Sequence, residues 1–419
     1  MTMRVRAGLM LMLALAMMGL GSCGHYNCAT SLFSTCSTTT TTPPPTGSAT
    51  AFAFAVDQTG TINGYTLNTT AGTLATTPSF TAPAIPSGDP GVGIVVAQKQ
   101  FVYAMFEAEN KVYGWSINAT TGALALLSGF PLTLTVNAPI VTYNEYNLAT
   151  NPAGTLLFIS DTANSRIFVY QIAATGALMA ATNSPFTTGL VQPGNLTTDG
   201  LGRYLYVTAL ASNHQGGGVL GYSIGTGTNV GVLTLLTGSP FAFPMWQLQG
   251  DPSGTFLIGT TGSTVHFSGA DDKHLYVFNI LASGTTPGAI SEVAGSPFTT
   301  QFSPFNIAVS PAPASGGIEF LYSFSINDGG AYNAIEGYQL DTSSGLVTAI
   351  AGSPFTTLAT GHWGQFDQSG TLLFVYSDVL GGATSTQLAP LAVSSAGLLT
   401  QPIPSLTLPT AGYWVVTDP

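Results

Sequence analysis

Few residues in this 419-residue chain could do chemistry, and their types narrow what that chemistry is. The three cysteines are Cys23, Cys28 and Cys36, so everything after position 36 lacks a thiol nucleophile, a thiolate metal site or a disulfide. Five histidines give few general-base choices, and no motif pairs a serine nucleophile with a base. His266, Asp271, Asp272 and His274 form the densest group of metal-capable residues. They lack a recognised ligand spacing, and two adjacent carboxylates supply only part of a hard cation's shell. A solvated loop is the favoured reading there, and no cofactor is expected. Seven Lys and Arg stand against eighteen Asp and Glu, 6% charged residues with a net charge of −11. That balance excludes the basic footprint of a nucleic-acid binder. Aromatic residues at 10% exclude disorder driven by charge.

The elements that must position these residues begin after a processing signal. Arg4 and Arg6 precede an apolar run from Ala7 to Leu20, too short to span a bilayer and suited to a signal-peptide core. The run ends in Leu20-Gly21-Ser22-Cys23, which resembles the lipobox of bacterial lipoproteins, with Cys23 as the lipidated mature N-terminus. Residues 1–22 are therefore expected to be a signal peptide. Residues 23–48, with Thr38 to Thr42 followed by three prolines, are expected to form an extended Ser/Thr/Pro-rich tether. Cys28 and Cys36 could close a small disulfide loop within it. After cleavage five basic residues remain: Lys99, Lys111, Arg166, Arg203 and Lys273. The expected address is the cell envelope, with a lipid anchor as the contact with membrane.

Residues 49–419 carry seven internal repeats. A short alternating strand ends at an aromatic or apolar anchor, then a turn leads into Gly-x-Leu, as in Gly114-Trp115-Ser116-Ile117 with Gly122-Ala123-Leu124. The anchors fall at 65, 115, 170, 222, 278, 338 and 391, spaced by 50 to 60 residues. Six units run on into a Ser-Pro-Phe-like turn such as Ser184-Pro185-Phe186, and a second strand signal follows turns such as Asp251-Pro252-Ser253-Gly254. Four short strands per unit, seven times over, predict an all-β, seven-bladed β-propeller of four-stranded antiparallel blades. The terminal Tyr413-Trp414-Val415-Val416 reads as the missing inner strand of the first blade, so that the C-terminus closes the ring.

With its hydrophobic–Asp/Ser–Pro–x–Gly turn, Gly-Tyr/Val-Tyr strand and Thr-Gly-x-Leu turn, the region resembles lactonase-type seven-bladed propellers, also described by YVTN-like repeats. The resemblance implies a lactone-opening enzyme with His, Arg and Glu around the central funnel. Counting back from the Pro-like position of each inner strand supplies a different set. Asn147, Asn195, Gln247 and Asn306 occupy the place that often reads Pro-x-His in that family, beside Trp246, Trp363 and Trp414. Amides hydrogen-bond hydroxyls without charge, and indoles stack on apolar sugar faces. A neutral, saccharide-like ligand fits that set. The blander alternative is that the amides satisfy inner-strand backbone groups while the aromatics fill the channel. His362 with Glu145 is the candidate catalytic pair.

Acids recur at or after the second strand of each unit: Asp57, Glu107, Asp161, Asp328 and Asp378, with Glu109, Asp271 and Asp272 further into equivalent loops. They predict an acidic top face able to meet a protein partner. The leading expectation is an envelope-anchored binding or interaction module. The alternative is a lactonase-like hydrolase.

Overall fold

The structure, a computed structural model, describes residues 50–57, 61–68, 73–76, 91–106, 110–134, 148–189, 191–210, 216–262, 272–312, 316–326, 332–356, 361, 363–377, 387–408 and 412–417. The signal peptide, Cys23 and the tether lie outside them. Seven antiparallel sheets form seven blades, each running from an inner to an outer strand. The inner strands are Gly412–Thr417 in blade 1, then Gly91–Ala97, Leu148–Thr150, Gln192–Thr198, Gln247–Gly250, Pro304–Val309 and Trp363–Phe366 in blades 2 to 7. Phe52 pairs with Thr417 and Asp57 with Gly412, so the C-terminal strand completes blade 1. Each inner strand touches the next around the ring, blade 7 meeting blade 1. The only helix among the described residues is the 3-10 turn Gly227–Asn229, and none is long and apolar enough to cross a membrane.

The core is divided among the seams. Of seven apolar clusters six each join two neighbouring blades, for example Phe52, Phe54 and Val56 of blade 1 with Val102, Phe106 and Trp115 of blade 2, and the seventh joins blades 7 and 1 and takes in Trp246 and Phe305 of blades 5 and 6. Second strands are covered on both faces, so Phe101–Phe106 and Leu156–Asp161 are buried at every position. That explains their near-continuous apolar runs where a one-sided sheet would alternate.

The repeat motifs have distinct structural roles. The glycine of the Thr-Gly-x-Leu turn takes a left-handed conformation, φ 79° at Gly176, and lies so close to the Phe101 ring of the preceding blade that a Cβ would fall 2.7 Å from it. Gly therefore serves both the turn and the seam. In the Ser-Pro-Phe turn the serine Oγ accepts the third-strand N–H of Val169, Gly221, Val277 or Gly337 at 2.9 to 3.2 Å. Short segments after that turn add a pairing not expected from the sequence: Leu132–Thr133, Phe186–Thr187, Phe298–Thr299 and Leu406–Thr407 each bond to a third strand. Two residues are too few to show periodicity, so only the turn was legible.

Candidate functional site

The inner strands enclose a central cavity of about 770 Å³. Its wall at one end is built from Asn195, Gln247, Asn306 and Trp363, and at the other from turns containing Gln98, Lys99, Asn151, Pro252 and Gln368. At the first end, the mouth, the inner-strand register slips between Gly91 and Gly93, Pro193 and Leu196, and Pro304 and Asn306. An extra residue at such a bulge bends the strand and re-aims its side chains.

Two of the amides are engaged by the protein itself. Asn195 Oδ1 accepts the N–H of Leu248 at 2.8 Å, and Gln247 Oε1 accepts that of Ile307 at 2.8 Å. Blades 4, 5 and 6 are thus stapled in series, as the blander reading of these residues expected. The series stops at Asn306. It is 1% exposed, its Oδ1 has no hydrogen-bond partner, and the Phe324 ring packs on Gly364 of the next blade. A buried acceptor without a donor carries a desolvation cost of about 1 to 3 kcal/mol.

Trp363 lines the cavity, whereas Trp246 packs behind it in a row with Phe305. Ring centroids are 6.2 Å apart for Trp246 and Phe305 and 5.6 Å for Phe305 and Trp363, the latter pair edge-on. Of the other site residues read from the sequence, Asn147, Glu145 and His362 lie outside the described residues. For Trp414 the backbone alone is described, on the inner strand of blade 1.

Positive charge is absorbed elsewhere. Arg166 Nη2 lies 2.8 Å from Asp161 Oδ2, and Arg203 Nε lies 2.8 Å from Asp199 Oδ2, both carboxylates being fully buried. Arg203 also donates to the Gly254 carbonyl of the next blade at 2.6 Å. Among the described residues lining the cavity, Lys99 and Asp367 are the ionisable ones, and both belong to the end away from the amides. Asp367 accepts the Leu372 N–H and the Ser369 hydroxyl.

A second polar group sits at the seam of blades 5 and 6. Asp272 Oδ1 is 2.5 Å from His274 Nδ1, and Asp272 Oδ2 accepts Thr261 Oγ1 at 2.8 Å and Tyr276 OH at 3.0 Å. Its backbone carbonyl accepts Ser303 Oγ at 3.1 Å. Burial and the bond to Asp272 push the Tyr276 phenol up to about 12. Nearby, Glu336 accepts the N–H groups of Gln301 and Phe302 and the Tyr338 hydroxyl. Burial raises its pKa above the ordinary carboxylate value in spite of these bonds. The structure brings together two members of the sequence group, Asp272 and His274, while His266 and Asp271 lie outside the described residues. Among the described residues no three His, Cys, Asp or Glu side chains are arranged to hold a metal. Thr261, Tyr276 and Ser303 were missed by the sequence reading. Asp272, His274 and Tyr276 alternate at the entry to a strand, the one signal that could have joined three of them. Of the eight acids assigned to the top face, Asp161 and Asp272 have described side chains, and both are engaged inside the protein.

Residues 46–219 match the family model described as Lactonase, 7-bladed beta-propeller. That stretch runs from the approach to blade 1 into the third strand of blade 4. A Bacteroides uniformis protein named as a candidate 6-phosphogluconolactonase is 15% identical, with a TM-score of 0.62 over 88% of this chain and 100% of that one. A Lactobacillus plantarum protein is 16% identical, with a TM-score of 0.59 over 88% and 99%. The periplasmic gluconolactonase of Pseudomonas aeruginosa is 12% identical, with a TM-score of 0.57 over 88% and 99%. At these identities the likeness concerns the fold. No curated protein matches. The chain is a seven-bladed propeller, and its residues 46–219 are similar to the lactonase propeller family.

Proposed function

We propose that this propeller hydrolyses an uncharged sugar lactone bound at the amide-lined mouth of its channel. The observation that carries the reading is Asn306, whose buried Oδ1 faces no donor at the point where the amide series is interrupted. A ring hydroxyl of a sugar lactone would supply that donor. Trp363 beside it offers an apolar face to the sugar ring. The family match over the first blades favours ring opening over simple binding. The compound for which the Bacteroides uniformis protein is named, 6-phosphogluconolactone, is an anion, and here the charge balance argues for a different substrate. Arg166 and Arg203 are held by their own aspartates, and Lys99 lies at the far end of the cavity. Among the described residues lining the cavity, a phosphorylated lactone would meet no counter-ion at the amide end.

The test is hydrolysis of D-glucono-1,5-lactone and of its 6-phosphate, each corrected for spontaneous opening. The expected result is turnover of the neutral lactone with little gain on the phosphorylated one. Asn306→Ala should raise KM about five- to tenfold, the scale of one neutral hydrogen bond. No turnover above background on any neutral lactone sinks the reading and returns the binding module to first place. The same proposal includes export and lipid anchoring through Cys23, which would expose the channel to lactones of the envelope. Labelled palmitate incorporated into the wild type and absent from Cys23→Ala is the expected outcome.

A further inference from the structure

We propose that the side-chain NH₂ groups of Asn195 and Gln247 form the donor pair that polarises the lactone carbonyl at the mouth of the channel. The inference rests on the lactonase reading and adds the groups that stabilise its transition state. Both residues line the cavity at the same end as Asn306 and Trp363. Each is held by its oxygen: Asn195 Oδ1 accepts the Leu248 N–H and Gln247 Oε1 accepts the Ile307 N–H, both at 2.8 Å. Only the oxygen of an amide can accept a backbone N–H, so these bonds fix which end of each side chain meets the next blade. The NH₂ group is turned the other way. Among the described residues no acceptor meets Asn195 Nδ2 or Gln247 Nε2, which leaves both as donors toward the cavity that the side chains line.

The pair is compact and adjoins Asn306. The nitrogen that Asn195 accepts belongs to Leu248, the residue after Gln247, so Asn195 Oδ1 lies within about 4 Å of the Gln247 carbonyl carbon. In the same way Gln247 Oε1 lies within about 4 Å of the Asn306 carbonyl carbon. Three amides thus follow one another along the wall in blades 4, 5 and 6. The backbone behind them is fixed: the Asn195 N–H donates to Thr208 Oγ1 at 2.8 Å, and the Trp246 N–H to the Thr260 carbonyl at 2.7 Å. Asn195 and Gln247 are 3% and 4% exposed, so little water competes for their donors. Fixed dipoles in such a site act more strongly on a developing charge than they would in bulk water. A lactone with a ring hydroxyl on Asn306 and its ring against Trp363 keeps its carbonyl oxygen as the acceptor that gains charge during hydrolysis. Stapling and ligand contact are then shared within one side chain: the oxygen holds the next blade and the nitrogen serves the substrate.

The step balances with water as the co-reactant. The water oxygen bonds to the lactone carbonyl carbon, the carbonyl π pair moves onto oxygen, and the proton lost by the attacking water passes to a second water. The two NH₂ groups stabilise the charge on the former carbonyl oxygen. When that pair returns, the ring C–O bond breaks and the departing ring oxygen takes the proton back from the second water. The product is the open hydroxy acid. Asn195 and Gln247, which touch the reacting oxygen, are the catalytic residues of this step.

Asn195→Asp and Gln247→Glu keep an oxygen for the next blade's N–H and replace the NH₂ group by a second oxygen, whereas Asn195→Ala removes both. Each is assayed on D-glucono-1,5-lactone, with Tm and the Kd of the unreactive D-glucono-1,5-lactam recorded beside kcat and KM. Asn195→Asp and Gln247→Glu should each lower kcat about a hundredfold, the scale of one donor to a developing oxyanion. KM and the lactam Kd should stay within about threefold of the wild type, as for a contact that strengthens only in the transition state. Asn195→Ala should lower kcat no further than Asn195→Asp, although it also loses the staple. If the wild type turns over lactone and both acidic variants keep kcat within about threefold, the donor assignment is overturned and the lactonase reading stands. If the wild type gives no turnover above background, both are overturned. A fall in kcat matched by a rise in KM, with Tm lowered and the larger loss in Asn195→Ala, assigns the amides to stapling alone and overturns the proposal.

Discussion

Blades 3 and 4 treat buried carboxylates differently from blades 5 and 6. In the first pair each fully buried aspartate is answered by an arginine of its own blade, Asp161 by Arg166 and Asp199 by Arg203. Each guanidinium also lies over a neighbouring ring, Phe168 at 5.4 Å and Tyr204 at 5.2 Å. In blades 5 and 6 the acids meet hydroxyls, backbone N–H groups, a histidine or nothing. Asp251 accepts the Phe256 and Ser253 N–H groups, Glu336 accepts two N–H groups and a phenol, and both oxygens of the buried Glu319 lack a partner. A chain with so few cations has placed its arginines where they secure the scaffold. Buried acids without an arginine gather in blades 5 and 6, where burial raises the carboxyls of Glu319 and Glu336 above the ordinary range. The difference separates buried carboxylates held by an arginine from buried carboxylates whose desolvation no arginine offsets.

The largest expected effect breaks the first half. Asp199→Ala strands Arg203 and removes the acceptor of the Arg203 and Tyr204 N–H groups. It should cost about 3 to 5 kcal/mol in urea unfolding, the range for losing one partner of a buried pair. Glu319→Gln should work in the opposite direction. Burial and the charge of Asp251 push the Glu319 carboxyl up to about 8. A folded value raised above the unfolded one gives stability that is complete below about pH 4 and lost as pH rises through about 8. Glu319→Gln should therefore match the wild type near pH 4 and exceed it by roughly 2 to 4 kcal/mol near pH 9. A wild type whose stability is flat between pH 5 and 9 would remove the contrast between the two halves.

The repeats made the ring, its closure and the turn chemistry legible, because each depends on local patterns: a glycine with φ near 79°, a serine before proline, an alternating strand. The site was legible in part. Counting back along the inner strands brought Asn195, Gln247, Asn306 and Trp363 to one wall, since bulges recur at similar places in the repeats. What each amide bonds was beyond that arithmetic. Leu248, the donor to Asn195, is 53 residues away and in another blade. The Asp272–His274 contact was within reach at two residues' separation, but a search for metal spacing does not describe a pair aligned at the start of a strand. Thr261 and Ser303 reach Asp272 from other strands and leave no mark in the local sequence.

Two smaller tests sharpen the comparison inside blade 6. Glu336→Gln keeps one acceptor oxygen and replaces the other with an N–H₂ group beside the Gln301 and Phe302 N–H groups. It should cost about 1 to 2 kcal/mol at neutral pH in thermal unfolding, less than Asp199→Ala because no opposite charge is stranded. The smallest effect belongs to Asp341, in the turn before the outer strand of the same blade. Its carboxylate accepts the Ser343 hydroxyl and N–H and the corresponding groups of Ser344, which hold its pKa down at about 2. A folded value below the unfolded one gives stability that is present above about pH 4 and lost as pH falls through about 2. Asp341→Ala should therefore lower Tm slightly at pH 7 and leave it unchanged below pH 2. Glu319 and Asp341, both carboxylates of blade 6, should thus tilt the pH dependence of Tm in opposite directions. Equal slopes in the two variants would mean that the surroundings of these side chains do not set their proton affinities.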